Sequence, residues 1–157
     1  MALPESLRTG PLISYSELRY DYDSKFFAEL DEFFPNLNNL RLAFKRYDYG
    51  LVLKSNSLKK CSIVMDSTIK FDRYSDNKEG ALVLIISNLC LNLQEVYIFY
   101  PYSVKLQVKI PLKKLEVNSD YPMIELSSYV HKLKLSRELK NLRDNLKIHD
   151  HISELSL

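Results

Sequence analysis

The sequence predicts an α/β fold in the form of a repeat solenoid, a curved parallel β-sheet with short helices and irregular segments on its convex side. Three observations support this prediction. A six-residue motif recurs, most of its copies start about twenty residues apart, and the chain holds 27 leucines but only 3 glycines in 157 residues. We therefore expect about seven irregular repeats in a single domain over residues 1–157.

The motif reads apolar, two polar, apolar, polar, apolar. By chance about two copies would be expected in a chain of this composition. Six copies fit fully, a seventh differs only by Tyr97 at a polar site, and five of the six intervals between their starts are 18 to 22 residues. The copies cover residues 15–20, 37–42, 58–63, 93–98, 112–117, 130–135 and 152–157.

The spacing inside the motif favours a strand over a helix. The last two apolar sites are two residues apart and share one face of a strand, while the first lies in the turn that leads into it. On a helix the first and third of these sites would stand about 140° apart, which makes a poor single face. Each copy therefore predicts one turn followed by one strand.

The motif resembles the L-x-x-L-x-L consensus of leucine-rich repeat proteins. Residues 34–42 and 90–96 are similar to the C-P-N-L-x-x-L-x-L passage of cysteine-containing repeats in F-box-associated proteins, with Phe34 in place of Cys and Leu91 in place of Pro. The resemblance implies a protein-binding role, including that of the substrate-recognition part of an F-box-like adaptor.

The segments between the motifs complete the expected architecture. Residues 24–34 have helical spacing of phenylalanines between a capping Ser24 and Pro35, and the stretches after Gly80 and over Ser136–Lys147 also favour short helices. The short intervals between residues 93 and 130 predict extended or 3₁₀ connections. Residues 1–14 are expected to form a lead-in and residues 66–80 an inserted surface loop.

The end of the sequence predicts an open edge. The last motif stops at Leu157 with no following turn or polar cap. Solenoids need capping repeats, so we expect a truncated chain, a domain cut from a longer protein, or association through this edge.

Composition and motifs argue against most catalytic chemistry. Lys and Arg number 22 against 20 Asp and Glu, and phosphate loops, nucleophile elbows and zinc quartets are missing. Cys61 and Cys90 are expected to be core thiols, and His149 and His151 to be solvated. The sequence predicts no catalytic residue, metal site or cofactor. Without a signal peptide or a membrane-spanning run, it favours an intracellular protein, cytoplasmic or nuclear.

Function is expected on the open face of the parallel sheet, where the side chains do not serve stacking. We expect Arg19, Arg41 and Lys60 to line up on neighbouring strands, with Tyr97 and Phe99 as aromatic anchors. Residues 100–102 either extend this aromatic cluster or cover the edge of the next repeat. An ordinary solvated face remains the alternative. The candidate partner-binding residues are Arg19, Arg41, Lys60, Tyr97, Phe99, Lys114, Lys132 and Lys134.

These residues support more than one function. The first is a non-catalytic protein-interaction module, because aromatic residues and Arg dominate interface energetics. The second is a nucleic-acid-contacting scaffold that follows a phosphate backbone with the basic residues, although the interspersed Glu95 and Glu116 weaken that field. An enzyme of an unrelated α+β fold remains only if the repeats are accidental.

Overall fold

The chain winds into a parallel β-solenoid with two sheets. The computed structural model describes residues 15–18, 30–44, 49–65, 81–100, 103–119, 121–135 and 152–156. The first sheet contains seven strands: β1 (Tyr15–Leu18), β2 (Asn39–Phe44), β4 (Lys60–Met65), β6 (Glu95–Phe99), β8 (Leu112–Asn118), β10 (Val130–Leu135) and β11 (Ile152–Ser156). The second sheet contains four: β3 (Tyr49–Leu53), β5 (Ala81–Ile86), β7 (Ser103–Val108) and β9 (Tyr121–Leu126).

From β2 to β9 the chain alternates between the two sheets. The strand order is β1-β2-β4-β6-β8-β10-β11 in the first sheet and β3-β5-β7-β9 in the second, and every pairing is parallel. Each turn thus adds one strand to each sheet and advances the solenoid by one strand spacing, about 4.8 Å. The described residues form about four such turns.

The register places the apolar sites of successive motifs on top of one another. The second apolar sites form one buried row across the first sheet: Leu40, Cys61, Val96, Leu115 and Leu133. The third apolar sites form a second buried row: Leu42, Ile63, Ile98, Val117 and Leu135. The alternate residues of the second sheet face these rows, and the two sheets enclose one continuous apolar core.

The corners before β4, β6 and β8 are held by a repeated backbone pattern. The carbonyl of Asn38 accepts hydrogen bonds from the amides of Lys59 at 2.8 Å and Lys60 at 3.0 Å. The carbonyl of Lys59 accepts in the same way from Gln94 and Glu95, and that of Gln94 from Lys113 and Lys114. Each corner therefore forms against the corner of the preceding turn, and its backbone groups are satisfied without helical structure.

A polar cluster supports the corner between β3 and β4. The carboxylate of Asp31, in the single-turn helix α1 (Leu30–Phe33), accepts 2.7 Å hydrogen bonds from the Ser55 hydroxyl and the Asn56 amide. The buried Ser55 hydroxyl in turn accepts from the Leu58 amide at 3.2 Å. Leu58 is the first apolar site of its motif and is fully buried, so the cluster orients a core side chain at the corner.

The strands predicted from the motif are confirmed, whereas the helical convex side is wrong. A first-sheet strand lies at every one of the seven motifs. The segment after Gly80 forms β5 instead of a helix, because Leu82, Leu84 and Ile86 alternate with Val83 and Ile85 and bury one side only. The extended connections expected between residues 93 and 130 are β7 and β9.

The expected count of about seven repeats is also wrong. Seven strands build the first sheet, but only four strands of the second sheet complete a turn in the described residues. Of the helix expected over residues 24–34, residues 30–34 are described, and Leu30–Phe33 is helical. The lead-in at 1–14, the loop at 66–80 and the helix at 136–147 lie outside the described residues.

At the far end of the first sheet the core is incompletely covered. Leu155 of β11 pairs in register with Leu133 of β10, yet it is 44% exposed while Leu133 is fully buried. Along the described ranges, β11 pairs only with β10, as an edge strand. In the same ranges, no helix has the length and apolar character needed to cross a bilayer.

The alternation within β5 predicts opposite results for two neighbouring substitutions. Leu84→Ala opens a cavity in the core and should lower the free energy of unfolding by about 2–5 kcal/mol, because the Leu84 side chain is fully buried. Val83→Ala changes a side chain that is 40% exposed and should cost less than about 1 kcal/mol. Urea denaturation of both variants measures the difference, and equal losses would contradict the strand.

Candidate interaction face

The outer face of the first sheet carries side chains in three rows that cross the strands. We call it the first-sheet face. The first row is Asn39, Lys60, Glu95, Lys114, Lys132 and Glu154. The second is Arg41, Ser62, Tyr97, Glu116, Lys134 and Ser156. The third is Ala43, Val64, Phe99 and Asn118.

The structure places seven of the eight predicted partner-binding residues on this face, and Arg19 lies outside the described residues. The expected alignment of Arg41 with Lys60 is wrong. Lys60 pairs with Asn39 in the first row, and Arg41 pairs with Ser62 in the second. The reason is that Lys60 precedes the second apolar site of its motif, whereas Arg41 follows the second apolar site of its own.

Tyr97 lies at the centre of the face, between two lysines from the neighbouring strands. The ammonium groups of Lys60 on β4 and Lys114 on β8 lie 5.1 and 5.2 Å from the centroid of the Tyr97 ring. Both distances fall within the range of cation–π attraction. The Tyr97 hydroxyl donates a 2.8 Å hydrogen bond to Oε1 of Glu95 on its own strand. The ring is therefore held from three directions.

This environment raises the pKa of the Tyr97 phenol from 10.0 to about 12. Partial burial of the hydroxyl is the largest cause, because it disfavours the charged phenolate. The hydrogen bond to Glu95 adds to the shift, since the phenol must keep its proton to donate. The negative charges of Glu95 and Glu116 oppose a phenolate further.

Glu116 links two lysines of the face. Its carboxylate oxygens lie 3.8 Å from the Lys114 ammonium and 3.7 Å from that of Lys134 on β10. From the sequence, Glu95 and Glu116 were expected only to weaken a basic field, and their contacts with Tyr97 and the lysines were missed. The available signal was the alternation Lys60, Glu95, Lys114 at one motif position, which the register turns into neighbours.

Phe99 projects from the face, and Tyr100 does not. Phe99 is 53% exposed and pairs in register with Val64 and Asn118. Tyr100 is fully buried, so the expected extension of the aromatic cluster is wrong at this residue. Successive residues of an extended chain point to opposite sides, so Tyr100, the residue after Phe99, points into the core. Pro101 and Tyr102 lie outside the described residues.

The two cysteines are buried thiols with little nucleophilic character. Burial raises the pKa of Cys61 to about 12 and that of Cys90 to about 11. The Cys90 thiol donates a 3.0 Å hydrogen bond to the carbonyl of Leu53, so it links the corner after β5 to the end of β3. In the part of the chain that the structure describes, no three His, Cys, Asp or Glu side chains group as metal ligands. His149 and His151 lie outside that part.

Comparison with known proteins gives no relative for this chain. No family model, curated protein or solved structure matches it. The fold and the face are therefore described from the chain's own residues, and the resemblance to leucine-rich repeat proteins stays a prediction.

The raised pKa of Tyr97 predicts a specific change at alkaline pH. Tyr97→Phe should remove one phenol that titrates near pH 12, two pH units above the ordinary 10.0. Because the folded pKa is the higher one, the stabilising contribution is complete below pH 10 and is lost as pH rises towards 12. The phenolate absorbance of wild type minus that of Tyr97→Phe isolates this group among the 11 tyrosines.

Two further variants control the assignment. Glu95→Gln removes the negative charge beside the hydroxyl and should lower the Tyr97 pKa, whereas Glu125→Gln on the exposed side of β9 should leave it unchanged. If the absorbance difference between wild type and Tyr97→Phe appears near pH 10 instead, the contacts described for Tyr97 are contradicted.

Proposed function

We propose that this chain is a non-catalytic protein-interaction module that binds a protein partner on the first-sheet face. The observation that carries the proposal is Phe99, a large apolar side chain that is 53% exposed beside the ordered cluster around Tyr97. Aromatic side chains are prominent among the few residues that supply most of the binding energy in many interfaces. A polar surround excludes water from such an anchor when a partner docks.

The cluster around Tyr97 supports the same proposal through its rigidity. Side chains that must be immobilised on binding cost about 0.5–1.5 kcal/mol each. Tyr97, Glu95 and Lys114 already contact one another or Glu116 in the free chain. A partner that binds beside them therefore orders few additional side chains. Less of the free energy gained by burying Phe99 is then lost to side-chain ordering, and the affinity is higher.

The arrangement favours a protein partner over a nucleic acid. Glu95, Glu116 and Glu154 interrupt the lysines in the first and second rows, so a phosphate backbone following those rows would meet carboxylates. A nucleobase stacking on Tyr97 would also have to displace a lysine from the ring. Both features suit the mixed charges of a protein surface.

A narrower version of the proposal names a family. The motif and the passages at 34–42 and 90–96 support a leucine-rich repeat module that serves as the substrate-recognition part of an F-box-like adaptor. Its support is the sequence resemblance alone, and it stays a prediction.

Phe99→Asp should abolish capture of a specific partner. A charge at this exposed position keeps the fold but cannot enter an apolar pocket, and losing an aromatic anchor commonly costs about 2 kcal/mol or more of binding energy. Immobilised wild type and variant are compared for the proteins retained from cell extract, and each retained protein is then tested in purified form against both.

Met123→Asp is the matched control, because Met123 is 43% exposed on β9 of the second sheet. A purified partner that loses binding to Phe99→Asp but not to Met123→Asp supports the proposal. A partner that binds both variants like wild type contradicts it, and a partner lost only with Met123→Asp moves the interface to the second sheet.

A further inference from the structure

Positive charge is concentrated on two adjacent strands of the first sheet. β8 has the sequence LKKLEVN and β10 has the sequence VHKLKL, so they carry four lysines, one histidine and a single glutamate. Their excess of positive charge exceeds the net charge of the whole chain, which is +2. We call the side chains of Lys113, Lys114, His131, Lys132 and Lys134 the basic corner.

The register places lysine and histidine side chains of β8 and β10 opposite one another. Lys114 of β8 pairs directly with Lys132 of β10, and Lys113 lies opposite His131 in the same ladder. Lys113 and His131 are exposed, and each directly follows a buried residue. Like charges that face each other on neighbouring strands are destabilising.

In the described residues, carboxylates form ion pairs with only part of this cluster. Glu116 pairs with Lys114 and Lys134 and is the one carboxylate on the two strands. Within the described ranges, neither Lys113 nor Lys132 forms an ion pair, although Glu154 is the register neighbour of Lys132 on β11. An anionic group bound between Lys113, His131 and Lys132 would relieve the repulsion.

Phe99 lies close enough to the basic corner for one ligand to contact both. Phe99 pairs with Asn118, four residues further along β8 than Lys114. At about 3.3 Å per residue and about 4.8 Å per strand, the backbone of Phe99 lies about 16 Å from that of Lys132, about 17 Å from that of Lys113 and about 19 Å from that of His131. An extended peptide covers these distances in about five or six residues.

We infer that the ligand of the first-sheet face is an acidic peptide segment of a protein, in extended conformation. Its carboxylates bind the basic corner at Lys113, His131 and Lys132, and an apolar side chain about five or six residues away contacts Phe99. This inference rests on the proposed function and names the chemistry of the partner. Glu95, Glu116 and Glu154 border the corner, so a ligand with its charges grouped at one end fits better than a uniformly charged polymer.

A synthetic peptide tests the inference directly. The probe is a fluorescein-labelled peptide of three glutamates, a four-residue glycine–serine spacer and a phenylalanine, and binding to the full chain is followed by fluorescence anisotropy. Two comparison peptides replace the glutamates by glutamine or the phenylalanine by alanine. We expect the probe to bind more tightly than either, and its affinity to fall as salt rises from about 0.05 to about 0.3 M.

A double variant locates the binding. Lys113→Gln with Lys132→Gln should weaken binding of the probe by about tenfold or more at low salt. Lys105→Gln with Lys109→Gln is the matched control, because it removes the same charge from exposed positions on β7 and the corner after it. The control should bind the probe like wild type, and circular dichroism should show the same fold for all three chains.

Three results would overturn the inference. They are no measurable binding of the probe, equal loss in both double variants, and tighter binding of a single-stranded oligonucleotide of equal charge. The proposed function is judged separately with the captured partner. A partner lost with Phe99→Asp but retained by the Lys113→Gln, Lys132→Gln chain leaves the interface in place and rejects the acidic segment, whereas retention by both chains rejects the interface itself.

Discussion

The parallel register between successive turns is the constraint on which the rest of the structure depends. It makes equivalent motif positions neighbours at one strand spacing, so a residue's surroundings are set by the same position in the turns before and after it. Inside, this produces rows such as Leu40, Cys61 and Val96, whose burial drives the stacking. Outside, it turns distant residues such as Lys60, Glu95 and Lys114 into adjacent charges. A one-residue slip would expose the apolar rows, so the core also fixes the order of the surface.

The composition of the first-sheet face also follows from this register. No single strand holds a cluster around Tyr97, because its two lysines come from β4 and β8, which belong to different turns. Glu116 joins the next turn to the same network through Lys134. The face is therefore built from several turns at once and varies in composition from one end to the other. It is apolar around Val64 and Phe99, mixed around Tyr97 and basic on β8 and β10.

The strands of the first sheet were predictable because their apolar sites are spaced two apart, a period that no helix reproduces. The second sheet was not predicted, since Ala81–Ile86 is almost uniformly apolar and such a run does not distinguish a buried strand from a helix. The motif also predicts which residues point outward. It does not predict which outward residues become neighbours on adjacent strands, because that depends on the register. Arg41 and Lys60, which lie in different rows, are an example. The hydrogen bond of Tyr97 to Glu95 needed coordinates as well.

The two kinds of corner differ in how much variation they tolerate. The corners before β4, β6 and β8 are fixed by carbonyls that each accept hydrogen bonds from two amides of the next turn, so an added residue there would break these bonds. The connections that leave the first sheet are freer: two residues join Asn118 to Tyr121, while fifteen separate Met65 from Ala81. Lengthening a surface connection costs only about 0.6 kcal/mol per doubling. Because these connections start beside the row that contains Phe99, insertions in them would change the border of the first-sheet face and leave the stacked strands in place.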